Sequence, residues 1–299
     1  MSAIVSSVTV KDIEVFADRL NVADAARTYL EHGALVVRGL MKPYAEQIRK
    51  DCEVLAAQAI SLLPQAKKIA EGWVTPDGTL FLPAPKNFNR DQQIMVLAAN
   101  YRTSGALFRS TFDSKALDLV EAILGPNVEA FMDGQVLYKE PVGGHAKNLH
   151  QDAAYFEHRF EGPVGVLSYC IDTNLTNGAL HVMPGTHKLG VLKHIDTSSH
   201  LGLDEKEWTW ENALPIIGQA GDAIFFNVKT VHGSKSNYSD HPRPVFIHRY
   251  RRADDYVVIS ATTTDSRALA EKRLDEAKKE NQFGFMVRGM RKYDADRQA

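Results

Sequence analysis

Cysteine is scarce in this sequence: only Cys52 and Cys170 occur, and they do not form a CxxC pair. Two isolated cysteines provide no disulfide framework and are typical of a protein from a reducing compartment. The N-terminal residues lack the apolar core of a signal peptide, and no stretch approaches the roughly 18 apolar residues that a membrane span needs. We therefore expect a cytoplasmic protein without a membrane partner.

An excess of charge of one sign is also missing. The 299 residues include 35 Lys and Arg against 37 Asp and Glu, a formal net charge of -2. Proteins that bind nucleic acid through its phosphates usually carry a basic excess, so nucleic acid is not an expected partner. The composition, 44% hydrophobic and 24% charged, is that of a soluble globular protein with a sizeable core. A small-molecule substrate is the expected partner.

Internal repeats, low-complexity tracts and Pro- or Ser-rich linkers are absent from the sequence, which favours a single domain over residues 1–299. Hydrophobic periodicity predicts a mostly helical part over about residues 1–127. Its predicted elements are a buried strand at 33–39, helices at 43–63 and 114–124, and a hairpin around Asp77-Gly78.

Beyond residue 127 the pattern changes to short β-prone runs separated by Gly, Pro and Asn. These runs lie at 128–132, 135–139, 149–156, 164–172, 179–183, 223–228 and 244–250. Such spacing is typical of an antiparallel sandwich or jelly roll and not of alternating βαβ units. We predict a mainly β fold with flanking helices, a jelly-roll core over about 128–255 and a C-terminal helix over about 266–281.

Two His-x-Asp pairs, at His150/Asp152 and His194/Asp196, have the spacing of metal ligands. Side chains two residues apart on a strand point to the same face, so both groups of such a pair can reach one ion. With 11 histidines and 37 acidic residues in the chain, one or two such pairs are expected by chance. The first pair lies in the β-prone run 149–156, whereas the second precedes a polar stretch and is predicted to lie in a surface loop.

A third ligand is expected from a strand distant in sequence, and His232 at the end of the run 221–232 is the candidate. Two histidines and one carboxylate occupy one face of an octahedral ion and leave open positions, which is the arrangement of non-haem Fe(II) oxygenases. Zinc prefers a closed tetrahedral set of ligands.

Arg243 follows His232 by eleven residues and opens the β-prone segment that ends at Tyr250. A guanidinium offers two parallel charge-assisted hydrogen bonds to a carboxylate, so it suits the binding of a dicarboxylate. A surface arginine in a loop is the alternative interpretation.

The combination of His150-x-Asp152, His232, Arg243 and the intervening segment 177–187 (NGALHVMPGTH) resembles the phytanoyl-CoA dioxygenase family. The resemblance covers about residues 30–255. It implies a double-stranded β-helix (jelly-roll, cupin-like) core and an oxygenase that uses Fe(II), 2-oxoglutarate and O₂. It also implies that the two histidines and Asp152 hold iron and that Arg243 binds the C5 carboxylate of 2-oxoglutarate.

Further site residues are expected around this set. Ser234 matches a family position that assists the C5 carboxylate, and Asn148 shares strand parity with His150. The other candidates are Gln135 and Tyr138, one of which is expected to reach the co-substrate, and Tyr155, Phe156 and Arg249, which are expected near the substrate. For Phe156 core packing, and for Arg249 a surface ion pair, are the alternatives.

The resemblance implies hydroxylation of a small molecule with release of succinate and CO₂. Because Asp152 is present, halogenation, which needs a small residue at this position, is not expected. Desaturation, cyclisation and epimerisation stay open, as do a role in secondary metabolism and a homodimeric state. A non-catalytic jelly-roll ligand-binding protein and a zinc-dependent cupin-like hydrolase are the alternative functions.

Overall fold

The computed structural model of the protein describes residues 8–70, 72–197, 201–257 and 283–292. The helices in these ranges are α1 Val22–His32, α2 Lys42–Leu62, α3 Gly105–Ser110 and α4 Ser114–Leu124. The strands are β1 Glu14–Phe16, β2 Ala34–Arg38, β3 Lys67–Lys68, β4 Trp73–Val74, β5 Leu80–Pro83, β6 Gln92–Leu97, β7 Val128–Ala130, β8 Gln135–Lys139, β9 Lys147–His150, β10 Val164–Tyr169, β11 Leu180–Met183, β12 Ile195–Asp196, β13 Leu201–Gly202, β14 Leu214–Ile216, β15 Ala223–Asn227, β16 Val231–Ser234, β17 Arg243–Arg252 and β18 Phe285–Arg288.

Two sheets form the core of the fold. The large sheet has the order β1-β2-β15-β10-β17-β8-β6-β5-β4-β3, and β7 joins it by pairing with β17 and β18. The small sheet has the order β14-β11-β16-β9. Neighbouring strands of both sheets are antiparallel except for β1 and β2. The sequence prediction of a mainly β protein with a jelly-roll core is confirmed.

The long strand β17 shows how the sequence divides the interior into two layers. Alternate side chains of a strand point to opposite faces of the sheet. Phe246 and Tyr250 belong to the core under the helices. Val245 and Ile247 point the other way, into the apolar cluster that is shared with the small sheet. Arg243 has the parity of Val245 and therefore also points into the space between the sheets.

The helices cover the outer face of the large sheet. Helix α2 has Pro43 in its first turn, where a missing N–H is harmless, and buries Ile48 and Cys52 against the sheet. The N-cap of helix α4 is Asp113, whose side chain accepts a hydrogen bond from Ala116 N at 3.0 Å. None of the described helices combines the length and the apolar character that a membrane crossing requires.

The first 127 residues contain all four described α-helices, but six strands, β1 to β6, also lie among them and extend the large sheet. One structural prediction needs correction. The predicted strand 149–156 ends at His150, and Asp152 begins a short 3₁₀ helix, Asp152–Ala154. The hairpin around Asp77-Gly78 is confirmed by the antiparallel pairing of β4 with β5. The predicted helix 266–281 lies outside the described residues.

Candidate metal centre

His150 and His232 face each other across the small sheet. They are direct partners in the antiparallel pairing of β9 with β16, and their ring centroids are 4.4 Å apart. The Nδ1–H of His150 donates to the carbonyl of Asn148 at 2.8 Å, and that of His232 donates to the carbonyl of Thr230 at 2.9 Å. These bonds fix the tautomer of each ring and direct both Nε2 atoms to the same point.

Asp152 completes the set. Its Oδ1 lies 3.6 Å from His150 Nε2 and 3.7 Å from His232 Nε2. These residues form the one group of three potential metal ligands found in the described part of the chain, with all ligand atoms within 4.8 Å of one another. A regular strand was expected to place the Asp152 side chain on the same side as His150. The 3₁₀ helix that begins at Asp152 has this effect instead. Two imidazoles and one carboxylate fit Fe(II) and leave the remaining coordination positions to other ligands.

The protonation states also fit a metal site. Burial, together with the neighbouring His150, lowers the pKa of His232 to about 4, so its ring is neutral at neutral pH. Burial on its own would raise the pKa of Asp152. Arg249 and the two histidines lower this pKa by a larger amount, so the net pKa lies below the usual range. Metal ligands must be deprotonated, and His232 and Asp152 meet this condition.

Gln151, the residue between His150 and Asp152, forms several hydrogen bonds with the surrounding protein. Gln151 N donates to His194 Nε2 at 3.0 Å, and the Gln151 side chain binds the carbonyls of Gly190 and Lys229 at 2.9 and 2.6 Å. His194 is only 3% exposed. The prediction that the His194/Asp196 pair lies in a surface loop is therefore wrong for His194, which supports the backbone of the metal site, whereas Asp196 is exposed. Spacing alone gave no sign of this contact.

A cavity of about 580 Å³ extends from the metal ligands into the space between the sheets. Arg243 and Ser234 both line this cavity, which agrees with the expectation that the two residues bind the same carboxylate of 2-oxoglutarate. Arg243 is 2% exposed, and its Nε and Nη2 donate to the carbonyls of Asn177 and Gly178 at 3.3 and 2.5 Å. Among the described residues no carboxylate pairs with it, and burial lowers its pKa to about 10. A buried guanidinium in this state is suited to an anionic ligand.

The predicted substrate residues Tyr155, Phe156 and Arg249 also line the cavity, as does Gln135. Two guanidinium nitrogens of Arg249 lie 3.2 Å from Gln135 Oε1, and one lies 3.5 Å from Asp152 Oδ2. Its guanidinium also lies 5.7 Å from the centre of the Phe156 ring. Arg249 thus contacts a metal ligand from inside the protein and does not form the surface ion pair that was the alternative.

Two predicted co-substrate residues do not reach the cavity. Tyr138 has the opposite parity to Gln135 on β8 and is buried in the core under the helices. The Asn148 side chain donates to Glu205 Oε1 at 3.0 Å, near the surface. The parity argument for Asn148 fails because the pairing of β9 with β16 contains a bulge: His232 pairs with His150, but Ser234 pairs with Lys147. Lys147 therefore lines the cavity in place of Asn148.

The N-terminal part supplies a wall that the sequence analysis missed. Leu80 of β5 and Val96 of β6 line the cavity together with Ile69 and Met132. The β-prone run of β6, QQIMVL, was a signal that could have identified this strand. The hydroxyl oxygen of Tyr155, which also lines the cavity, accepts a hydrogen bond from Leu201 N of β13 at 3.0 Å.

The jelly roll, the His-Asp-His set and the buried arginine in one cavity define the protein as a 2-oxoglutarate-dependent non-haem iron dioxygenase, which uses Fe(II), 2-oxoglutarate and O₂. The family model described as phytanoyl-CoA dioxygenase (PhyH) matches residues 29–245. The chain therefore belongs to the phytanoyl-CoA dioxygenase family.

Curated relatives agree with this assignment, and a solved structure shares the fold. The chain is 24% identical to a probable alpha-ketoglutarate-dependent hypophosphite dioxygenase of Stutzerimonas stutzeri, over 79% of this chain and 81% of the relative. It is 26% identical to the peroxisomal phytanoyl-CoA dioxygenase of Mus musculus, over 86% and 75%. In fold it is similar to the alpha-ketoglutarate-dependent carbocyclase SnoK from nogalamycin biosynthesis, with a TM-score of 0.60, 16% identity and coverage of 93% and 97%.

Proposed function

We propose that the protein hydroxylates an unactivated C–H bond of a small-molecule substrate. In this reaction 2-oxoglutarate and O₂ are converted to succinate and CO₂, one oxygen atom entering succinate and the other forming the product hydroxyl. The observation that carries the proposal is the placement of His150, Asp152 and His232 in the same cavity as Arg243, a buried cation without a protein carboxylate among the described residues.

Different residues of the cavity would bind the iron and the co-substrate. The two histidines and Asp152 would hold the iron, and Arg243 with Ser234 would bind the far carboxylate of 2-oxoglutarate. Iron and 2-oxoglutarate, when bound, supply the oxidising power that removes a hydrogen atom from the substrate. Asp152 occupies the position that a halogenating enzyme would leave to a halide, which supports hydroxylation.

The apolar wall of the cavity suits the other tasks of an oxygenase. Leu80, Val96 and Met132 present hydrocarbon surface to the cavity. Such a surface holds an unreactive part of a substrate by burial and keeps water from the reacting carbon. A volume of about 580 Å³ accommodates 2-oxoglutarate and one small molecule.

The test is a screen of small molecules with the Fe(II)-loaded protein, 2-oxoglutarate and ¹⁸O₂, in which succinate and product mass are both measured. We expect a substrate to raise succinate formation and to gain one labelled oxygen. Asp152→Ala should abolish both signals, whereas Asn148→Ala, a change of a side chain outside the cavity, should retain them. A product that loses hydrogen without gaining oxygen would refute hydroxylation. Iron-independent activity, or binding without turnover for every compound, would refute the oxygenase itself.

A further inference from the structure

Lys147 lies in the cavity because of the bulge in β9. Between the pairs His232–His150 and Ser234–Lys147, strand β9 contains one residue more than strand β16. A bulge of this kind shifts the side-chain alternation by one position. His150 and Lys147, three residues apart, consequently both line the cavity, and Leu149 between them packs on the opposite side of the small sheet.

The ammonium group of Lys147 has no carboxylate or carbonyl partner among the described residues. Burial lowers its pKa to about 8, and the negative charge of Asp152 offsets this only in part. Lys139 provides a contrast, since its ammonium donates to the carbonyls of His145, Ser234 and Lys235 at 2.6, 3.1 and 2.5 Å. Lys139 is therefore a structural residue, whereas the charge of Lys147 is available to a ligand.

The charges that line the cavity are unbalanced. Three cations, Lys147, Arg243 and Arg249, and two carboxylates, Asp152 and the exposed Asp196, are among the described lining residues. Arg249 is already in contact with Asp152. Lys147 and Arg243 are left without a counter-charge, and bound Fe(II) would add two positive charges. A dianionic ligand between the sheets would supply the missing negative charge.

We propose that Lys147 binds a carboxylate of 2-oxoglutarate, as a second cation in addition to Arg243. The inference rests on the proposed function, since it needs 2-oxoglutarate in this cavity. Its geometric basis is the pairing of Lys147 with Ser234, the residue expected at the C5 carboxylate, on the strand that also carries His150. Lys147, Ser234 and Arg243 line the same cavity, so a molecule that extends from Arg243 to the metal ligands can reach Lys147.

The experiment measures the Kd of 2-oxoglutarate without turnover, from the visible charge-transfer absorption that a 2-oxo acid produces when it chelates Fe(II) under anaerobic conditions. Lys147→Met removes the charge and retains the length of the side chain. We expect it to raise the Kd at least about tenfold, the usual effect of losing a charge-assisted hydrogen bond. Lys147→Arg should recover most of the affinity. Lys188→Met, the same change at an exposed position, should leave the Kd unchanged.

A second ligand identifies the carboxylate. 2-Oxovalerate has the chain length of 2-oxoglutarate but lacks the C5 carboxylate. If the effect of Lys147→Met is lost with 2-oxovalerate, Lys147 binds the C5 carboxylate; if the effect persists, it binds the C1 carboxylate. An unchanged Kd for 2-oxoglutarate in Lys147→Met, with normal binding by the unmodified protein, would overturn the inference. Failure of the unmodified protein to bind 2-oxoglutarate would instead refute the proposed function.

Discussion

Replacing Arg243 with leucine should separate ligand binding from stability. At neutral pH the folded protein carries this guanidinium in a buried position, and its pKa is lowered from 12.5 to about 10. At about 1.4 kcal/mol per unit, this burial destabilises the folded state by roughly 3 kcal/mol. The leucine variant recovers that amount and loses the two charge-assisted hydrogen bonds to Asn177 and Gly178, worth about 1.5 kcal/mol each. Without ligand, its free energy of unfolding should therefore stay within about 1 kcal/mol of the original value.

The affinity for 2-oxoglutarate should change much more. A bidentate contact between a guanidinium and a carboxylate contributes about 3 kcal/mol, so its loss raises the Kd on the order of 100-fold. A 2-oxoglutarate concentration of 100 times the original Kd stabilises the original protein by about 2.7 kcal/mol, but stabilises the variant by only about 0.4 kcal/mol. Thermal unfolding of the Fe(II)-loaded proteins under anaerobic conditions, with and without 2-oxoglutarate, measures both quantities.

The opposite pattern would refute this reasoning. A structural arginine, once removed, would lower the free energy of unfolding by about 3 kcal/mol or more and leave the Kd unchanged. Arg102→Leu is the matched control, because this side chain is exposed and forms only a surface contact with Asp133. The control should alter neither the stability nor the Kd by a measurable amount.

Three further predictions concern buried polar and charged side chains. His194→Leu leaves the buried N–H of Gln151 without its acceptor, so we expect a loss of about 1–3 kcal/mol in the free energy of unfolding and weaker iron retention, measured by metal analysis after dialysis. Glu129→Gln removes the carboxylate that lies 2.6 Å from the fully buried Arg251, and urea unfolding should show a loss of about 3–5 kcal/mol; a loss below 1 kcal/mol would contradict the pairing. His232 titrates near pH 4 in the folded protein and near 6.5 when unfolded, so the unfolded state binds more protons between these values. The metal-free protein should therefore lose stability as the pH falls from 6.5 to 4, by up to about 3 kcal/mol, and His232→Gln should reduce that loss.

Local patterns predicted the elements that depend on local physics. The alternating run at 135–139 is β8 in full, and the glycine-bounded run at 33–39 contains β2. The helix at 114–124 is also present, because its apolar residues repeat at helical spacing and Gly125 follows its end. Each of these signals lies in the element or next to it in the sequence, so no knowledge of the tertiary fold was needed.

The composition of the site depends on contacts that no local pattern records. His150 and His232 are candidates in the sequence, but their pairing across β9 and β16 is a property of the register between distant strands. The bulge in that register reverses the roles of Asn148 and Lys147. On β8 the parity rule did apply, and it shows that Gln135 and Tyr138 point to opposite faces, so only one of them could reach the cavity.

The distribution of the charged groups between the sheets predicts that ligand binding and folding are coupled in this protein. The iron ligands come from the small sheet and the loop that follows it, whereas Arg243 and Arg249 come from β17 of the large sheet. Before ligands bind, the ion pair between Arg249 and Asp152 connects the large sheet to the proposed iron ligands. A dicarboxylate that reaches from Arg243 to the metal ligands would add a second bridge and neutralise a charge that burial makes unfavourable. Ligand binding should therefore stabilise the packing of one sheet on the other as well as the site itself.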